Sequence, residues 1–207
     1  MTAKEFWTAF EKYEKTLRFH MDTLNKEEIK EKYNYLKLLL QSYHPKLEAI
    51  LSTNKTKDSN YKLTISSNEN RDLFMYVNRL VEEAPSLPNW NIQAFKESEV
   101  EMNPAHLNKP FDFGEYSIKP MDIQFTVIAW DPEKNIFDLL LLLPLYLKPI
   151  SQADLENAFE VIFQELWGER FVREKINCFI FTHHLSSEHE FFELELLETC
   201  LDSFEKI

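Results

Sequence analysis

The densest group of ligand-type side chains is His183, His184 and His189, with Glu188 and Glu190 interleaved. Imidazole and carboxylate together suit zinc and similar ions. The spacing argues against a shared ion. Neighbours on a strand point to opposite faces, and no His-Glu-x-x-His helical pair is present. These histidines are weak metal candidates, a polar cluster at a strand end is the simpler expectation, and no metal is expected. Asp131, Glu133 and Asp138 form a second group. Paired carboxylates run acid–base chemistry when their surroundings push their pKa values apart, but Asp131 stands ahead of Pro132, where a turn needs it. A third arrangement would pair Cys178 with His183 or His184 as nucleophile and base. Cys178 lies within the apolar run Ile176 to Phe181, and such surroundings raise a thiol's pKa and make it inert.

Only two glycines, Gly114 and Gly168, occur in 207 residues. Phosphate-cradling loops, dinucleotide fingerprints and nucleophile elbows all need positions where only glycine fits. No cofactor is therefore expected. If backbone approaches a ligand anywhere, Phe113-Gly114-Glu115 is the place. Trp7, Trp90, Trp130 and Trp167 could build an aromatic cage for a cation. Their scatter makes core and rim positions the simpler expectation.

Carboxylates are the stronger lead. In an extended chain Glu97, Glu99 and Glu101 project on one side, as do Glu193 and Glu195. Such rows can meet a basic partner, or guard an edge strand against aggregation. The net charge of −12 is unevenly placed. Residues 1–96 hold 15 basic and 13 acidic groups, whereas residues 97–207 hold 8 and 22. A phosphate backbone would be repelled by the second half, so nucleic acid is not expected as a partner. No apolar run reaches the roughly 18 residues of a spanning helix, and Met1 to Phe10 has no signal-peptide pattern. A cytoplasmic protein away from membranes is expected, with two reduced cysteines rather than a disulfide framework.

The elements that must position these groups follow from periodicity. Phe6, Phe10, Tyr13, Leu17, Met21 and Leu24 mark one helix face, and a second helix is expected over Lys26 to Tyr43, stopping before Pro45. Leu47 to Leu51 reads as a strand and Ser52 to Asn60 as a loop. Tyr61, Leu63 and Ile65 alternate as a strand. Asn68 is expected to cap a helix carrying Leu73, Val77 and Leu80. Trp90, Ile92 and Ala94 form the next strand. Residues 97–121 read as a long loop with one short strand near Phe113 to Ile118. Asp122 to Trp130 and Ile136 to Leu143 read as a hairpin, with Phe137 to Leu143 central and covered on both faces. Ser151 caps a helix that Gly168 ends. Ile176 to Phe181 is a strand. Phe192, Leu194 and Leu196, alternating with Glu193 and Glu195, suggest an edge strand before a terminal helix. The expected class is α+β, a mixed or mainly antiparallel sheet with helices mostly on one face and an N-terminal helical pair. The expected layout is a single domain, 1–207, with a helical arm (1–44) on a core (45–207).

Several local patterns, Phe6-Trp7-x-x-Phe10, His44-Pro45-x-Leu47, Leu63-Thr-Ile-Ser66 and Ala84-Pro85-x-Leu87-Pro88-x-Trp90 with Ala94-Phe95, resemble an uncharacterised family of small bacterial proteins across residues 1–145. The resemblance implies a bacterial, cytoplasmic α+β protein and carries no activity to any residue. The functional expectation is a non-enzymatic acidic interaction module, an inhibitor or immunity-type protein for a basic partner. The alternative is a small-molecule, hydrolase-like enzyme using carboxylates or histidines within 97–138 or 183–190.

Overall fold

A computed structural model describes residues 1–23, 26–53, 61–68, 70–98, 104–185, 187–204. The chain divides into two compact units, Met1–Lys96 and Glu97–Ile207. The sequence draws its boundary at residue 44, between an arm and a core. The contacts draw it after Lys96, because the N-terminal helices share one hydrophobic cluster with residues as far as Phe95, while a second cluster runs from Leu107 to Leu201.

In the first unit the apolar faces become α1 (Ala3–Thr23) and α2 (Lys26–Tyr43). They pack with a three-stranded sheet, β1 (Glu48–Thr53), β2 (Tyr61–Ser66) and β3 (Trp90–Ala94), in that order. β1 pairs antiparallel with β2, and β2 parallel with β3. A single 3-10 turn (Arg71–Leu73) and α3 (Phe74–Glu82) provide the crossover. The cap is Asn70, not Asn68: the Asn70 side chain accepts from the Asp72 N–H at 2.9 Å, while Asn68 turns the chain at φ +49°. In the core Phe6 stacks on Phe10, Phe10 meets Trp90 edge to face, and Tyr61 lies tilted against Trp90. Trp7 donates from Nε1 to the Leu80 carbonyl at 2.6 Å.

The polar groups of this core are tied together. Glu14, 7% exposed, accepts from Arg18 Nε at 2.6 Å and from Trp90 Nε1 at 3.0 Å. Tyr61 donates its hydroxyl proton to Asp22, and the Arg18 guanidinium lies 5.9 Å from the Tyr61 ring centroid. Burial works to raise the Glu14 carboxyl, but the hydrogen bonds from Arg18 and Trp90 outweigh it, and the group sits below its ordinary value.

The second unit is built on a four-stranded sheet. Its strands are β6 (Gln124–Asp131), β7 (Ile136–Leu142), β8 (Ile176–Thr182) and β9 (Phe192–Glu193), in the order β8-β7-β6-β9. β6 pairs antiparallel with β7 and β9, and β7 parallel with β8. Before it come α4 (Pro104–Leu107) and a small hairpin, β4 (Phe111–Asp112) with β5 (Ser117–Ile118), where the sequence reading has one strand. Ser151 caps α5 (Gln152–Trp167) by accepting from the Asp154 N–H, and Gly168 ends it at φ +86°. The same glycine starts α6 (Glu169–Lys175), a helix missed in the sequence reading. The last described helix is α7 (Leu197–Phe204).

Helices cover one face of this sheet. Phe159 and Phe163 of α5 meet Phe179 of β8 at ring distances of 6.4 and 4.7 Å. On β7 the covered side chains are Phe137, Leu139 and Leu141. The opposite face corrects the expectation of a strand buried on both sides: Leu140 and Leu142 are half-buried, and Ile128 and Ile180 are exposed. The fold is α+β with mixed sheets. Trp7 and Trp90 belong to the first core, and Trp130 and Trp167 to the second.

Candidate functional site

The hairpin end of the second sheet gathers the carboxylates singled out around β6 and β7. Asp131 accepts at Oδ1 from the N–H groups of Glu133 and Lys134, at 3.0 and 3.1 Å, and Lys134 Nζ stands 3.5 Å from Oδ2. The Lys134 backbone hydrogen bond foremost holds the Asp131 carboxyl below its ordinary value. Asn135 takes the left-handed position at φ +53°. Turn formation thus accounts for Asp131 and Asn135.

Asp138 sits where both of its ladders slip. The β6–β7 register shifts between Val127 and Ala129, and the β7–β8 register between Phe137 and Asp138. Asp138 consequently faces Ala129 on one side and Cys178 on the other, and Asn177 Nδ2 donates to its Oδ1 at 2.7 Å. A bulge re-aims a side chain by adding one unpaired residue; here Ile128 and Asn177 are those residues. Asp131, Lys134, Asp138 and Asn177 line one cavity of about 240 Å3; Glu133 is not among its lining residues. Trp130 also lines it, and its buried Nε1–H has no hydrogen-bond partner among the described residues.

Cys178 stays protonated. Burial, then a hydrogen bond to Asp138 and that carboxylate's charge, push its thiol up to about 11. Cys200 is raised by burial alone. Both are free thiols, and at Cys178 the thiolate is disfavoured.

The histidines do not converge. His183 lies against the Leu143 carbonyl with Nδ1 3.2 Å away, so Nδ1 carries the proton there. His184 is exposed, and its backbone N–H donates to Thr182 Oγ1. His189 stands edge-on to Phe191. Among the described residues no three His, Cys, Asp or Glu side chains are grouped to hold a metal ion.

Of the acidic rows, Glu97 is exposed, and Glu99 and Glu101 lie outside the described residues. Glu193 and Glu195 do come together, though not by strand alternation. β9 ends at Glu193, and a 3-10 turn follows over Leu194–Leu196. Both carboxylates line a cavity of about 240 Å3 beside Leu107, Pro120 and Met121. Gln124 Nε2 donates to Glu193 at 3.0 Å.

A larger opening, about 620 Å3, lies at Phe113 and Glu115, on either side of Gly114. The sequence points there only through the conformational freedom of one glycine. Of its aromatic walls, Phe113 and Tyr116 belong to the β4–β5 hairpin and Tyr146 comes from a distant segment. Among the described residues no helix is long and apolar enough to cross a membrane. Comparison with family models, curated proteins and solved structures finds no match to this chain, so the resemblance over residues 1–145 rests on its motif residues alone.

Proposed function

We propose that this chain is a non-enzymatic acidic interaction module, of the inhibitor or immunity type, that masks a basic protein partner. One observation carries the reading: the step in charge falls at the boundary between the two structural units. Met1–Lys96 has 15 basic and 13 acidic residues, a net +2, and Glu97–Ile207 has 8 and 22, a net −14. A surplus confined to one unit creates a directional field, and such fields speed encounter with an oppositely charged partner. The enzyme alternative draws on carboxylates or histidines within 97–138 or 183–190, where Asp131 and Asp138 share a cavity. Their hydrogen bonds tie the first to its turn and the second to Asn177, and Cys178 is held as a thiol.

The test immobilises the full chain, captures partners from lysate of the source cells at low salt, and measures affinity of the purified captured protein against salt. The expected partner is strongly basic, its affinity falls steadily with added salt, and Glu193→Gln with Glu195→Gln weakens it. A chain that captures nothing at low salt, or whose partner ignores both salt and neutralisation, overturns the reading.

A further inference from the structure

We propose that the cleft beside the Gly114 turn is the pocket that receives a lysine or arginine side chain of the basic partner, an inference that rests on the partner reading above. Phe113, Tyr116, Tyr146 and Ile150 supply apolar wall, and Glu115 and Asp154 supply carboxylates, around about 620 Å3.

The walls are held in place. The Phe113 N–H donates to the Tyr116 carbonyl at 2.8 Å, closing the turn between β4 and β5, and Gly114 takes φ +73°. The Phe113 and Tyr116 rings stack with centroids 5.5 Å apart and planes at 23°. Tyr116 donates its hydroxyl proton to the Asp154 carbonyl at 3.3 Å, and Tyr146 donates to Asp122 Oδ2 at 3.1 Å. Two phenol rings from separate segments are thus anchored at their tips, with the rings bordering the cleft.

The carboxylates are open to a ligand. Glu115 is exposed and has no hydrogen-bond or ion-pair partner among the described residues. Among the described residues the Asp154 carboxylate takes one hydrogen bond, from Ser151 Oγ at 2.6 Å to Oδ2. An aliphatic-stemmed cation fits this pairing. Its methylenes lie along aromatic and Ile150 carbon, as long basic side chains do on apolar surface. Its charged head meets ring faces and carboxylates, both of which favour a cation. An anion would meet two carboxylates within a unit of net charge −14. The volume exceeds one side chain and leaves room for the residues flanking it.

The experiment uses the full chain and four short peptides identical except for a central lysine, arginine, acetyl-lysine or norleucine. Titration calorimetry gives the affinity, and aromatic NMR signals of Tyr116, Tyr146 and Phe113 give the place. Lysine and arginine peptides bind and shift those signals, and acetyl-lysine and norleucine lose roughly tenfold or more. Glu115→Gln and Tyr146→Leu each cost roughly fivefold or more, while Tyr146→Phe, which keeps the ring, retains binding. Equal binding of the norleucine peptide, or indifference to both weakening variants, overturns the pocket. The two readings fail separately. A basic partner sensitive to Glu193→Gln with Glu195→Gln but not to Glu115→Gln or Tyr146→Leu removes the pocket alone. Lysyl-peptide binding without any basic partner removes the partner reading and leaves a cation site.

Discussion

Cys178 should react slowly with thiol reagents, and Asp138 should be one of the reasons. Its thiol stands at about 11 against an ordinary 9.0. Near pH 8 an ordinary thiol of that kind is roughly one-tenth ionised, and Cys178 about a hundredfold less. A more basic thiolate is a better nucleophile, with a Brønsted slope of about 0.4–0.5, which returns roughly tenfold. The net expectation is a rate about tenfold below that of an unstructured cysteine peptide, before half-burial slows it further. Asp138→Asn removes the carboxylate's charge but leaves burial, the largest cause of the shift. A fall of about one pKa unit would then raise the rate near pH 8 by roughly threefold. The assay follows a chromogenic disulfide on a Cys200→Ser background, from pH 7 to 10, with hydrogen exchange confirming that β8 stays folded. A Cys178 rate equal to or above the peptide's in the folded chain refutes the argument and revives the nucleophile–base arrangement with His183 or His184.

Other substitutions probe the frame. Glu14→Ala removes the acceptor of Arg18 and Trp90 inside the first core and should cost about 2–4 kcal/mol, with Glu14→Gln costing less, read by urea unfolding and by exchange of β2 and β3 amides. Because the folded Glu14 carboxyl lies below its ordinary 4.5, its contribution is complete above that value and is lost as pH falls through the folded one. An acid titration in which Glu14→Gln and the parent lose stability in parallel would contradict this. Ser151→Ala should cost about 1 kcal/mol through the lost α5 cap, while Ser151→Asp should restore it. At Gly114 an added Cβ meets nothing within 4 Å, so Gly114→Ala pays only for its left-handed backbone, about 1 kcal/mol, and Gly114→Asn should cost less, measured by thermal unfolding.

Much of the frame was legible in the sequence because apolar spacing and turn chemistry agreed. Phe6, Phe10 and Leu17 share the buried face of α1, and Asp131 forms the hairpin turn as read. The misses share a cause: short patterns fit two periods. Phe192, Leu194 and Leu196 alternate like a strand, yet Leu194, Leu197 and Leu201 recur at three and four residues, and those are the three that are buried. Leu196 is 42% exposed. Gly168 reads as a helix end, and nothing local says that its φ of +86° lets α6 begin at the next residue. The slips that leave Asp138 facing Cys178 depend on two strand partners at once, which one-dimensional periodicity does not contain. For the same reason the aromatic cleft was reached only at Gly114: Tyr146 joins it through tertiary packing.

The acidity of the second unit is too large to be internally balanced. If all eight of its bases paired, fourteen carboxylates would still remain. The ion pairs seen there, Lys134 with Asp131, Arg170 with Glu174 and Arg173 with Glu160, leave that surplus in place. Self-repulsion of this kind opposes the compact state, and the cluster of Phe137, Phe159, Phe163 and their neighbours must outweigh it. Salt screens exposed charges beyond about 10 Å at 0.1 M. Added sodium chloride should therefore stabilise the second unit while weakening its association with a basic partner. A surface that is acidic only for solubility yields the first effect without the second. Unfolding and affinity measured across one salt series separate the two cases by sign: stability that does not rise would mean the repulsion is negligible, and affinity that does not fall would mean the carboxylates are not what the partner reads.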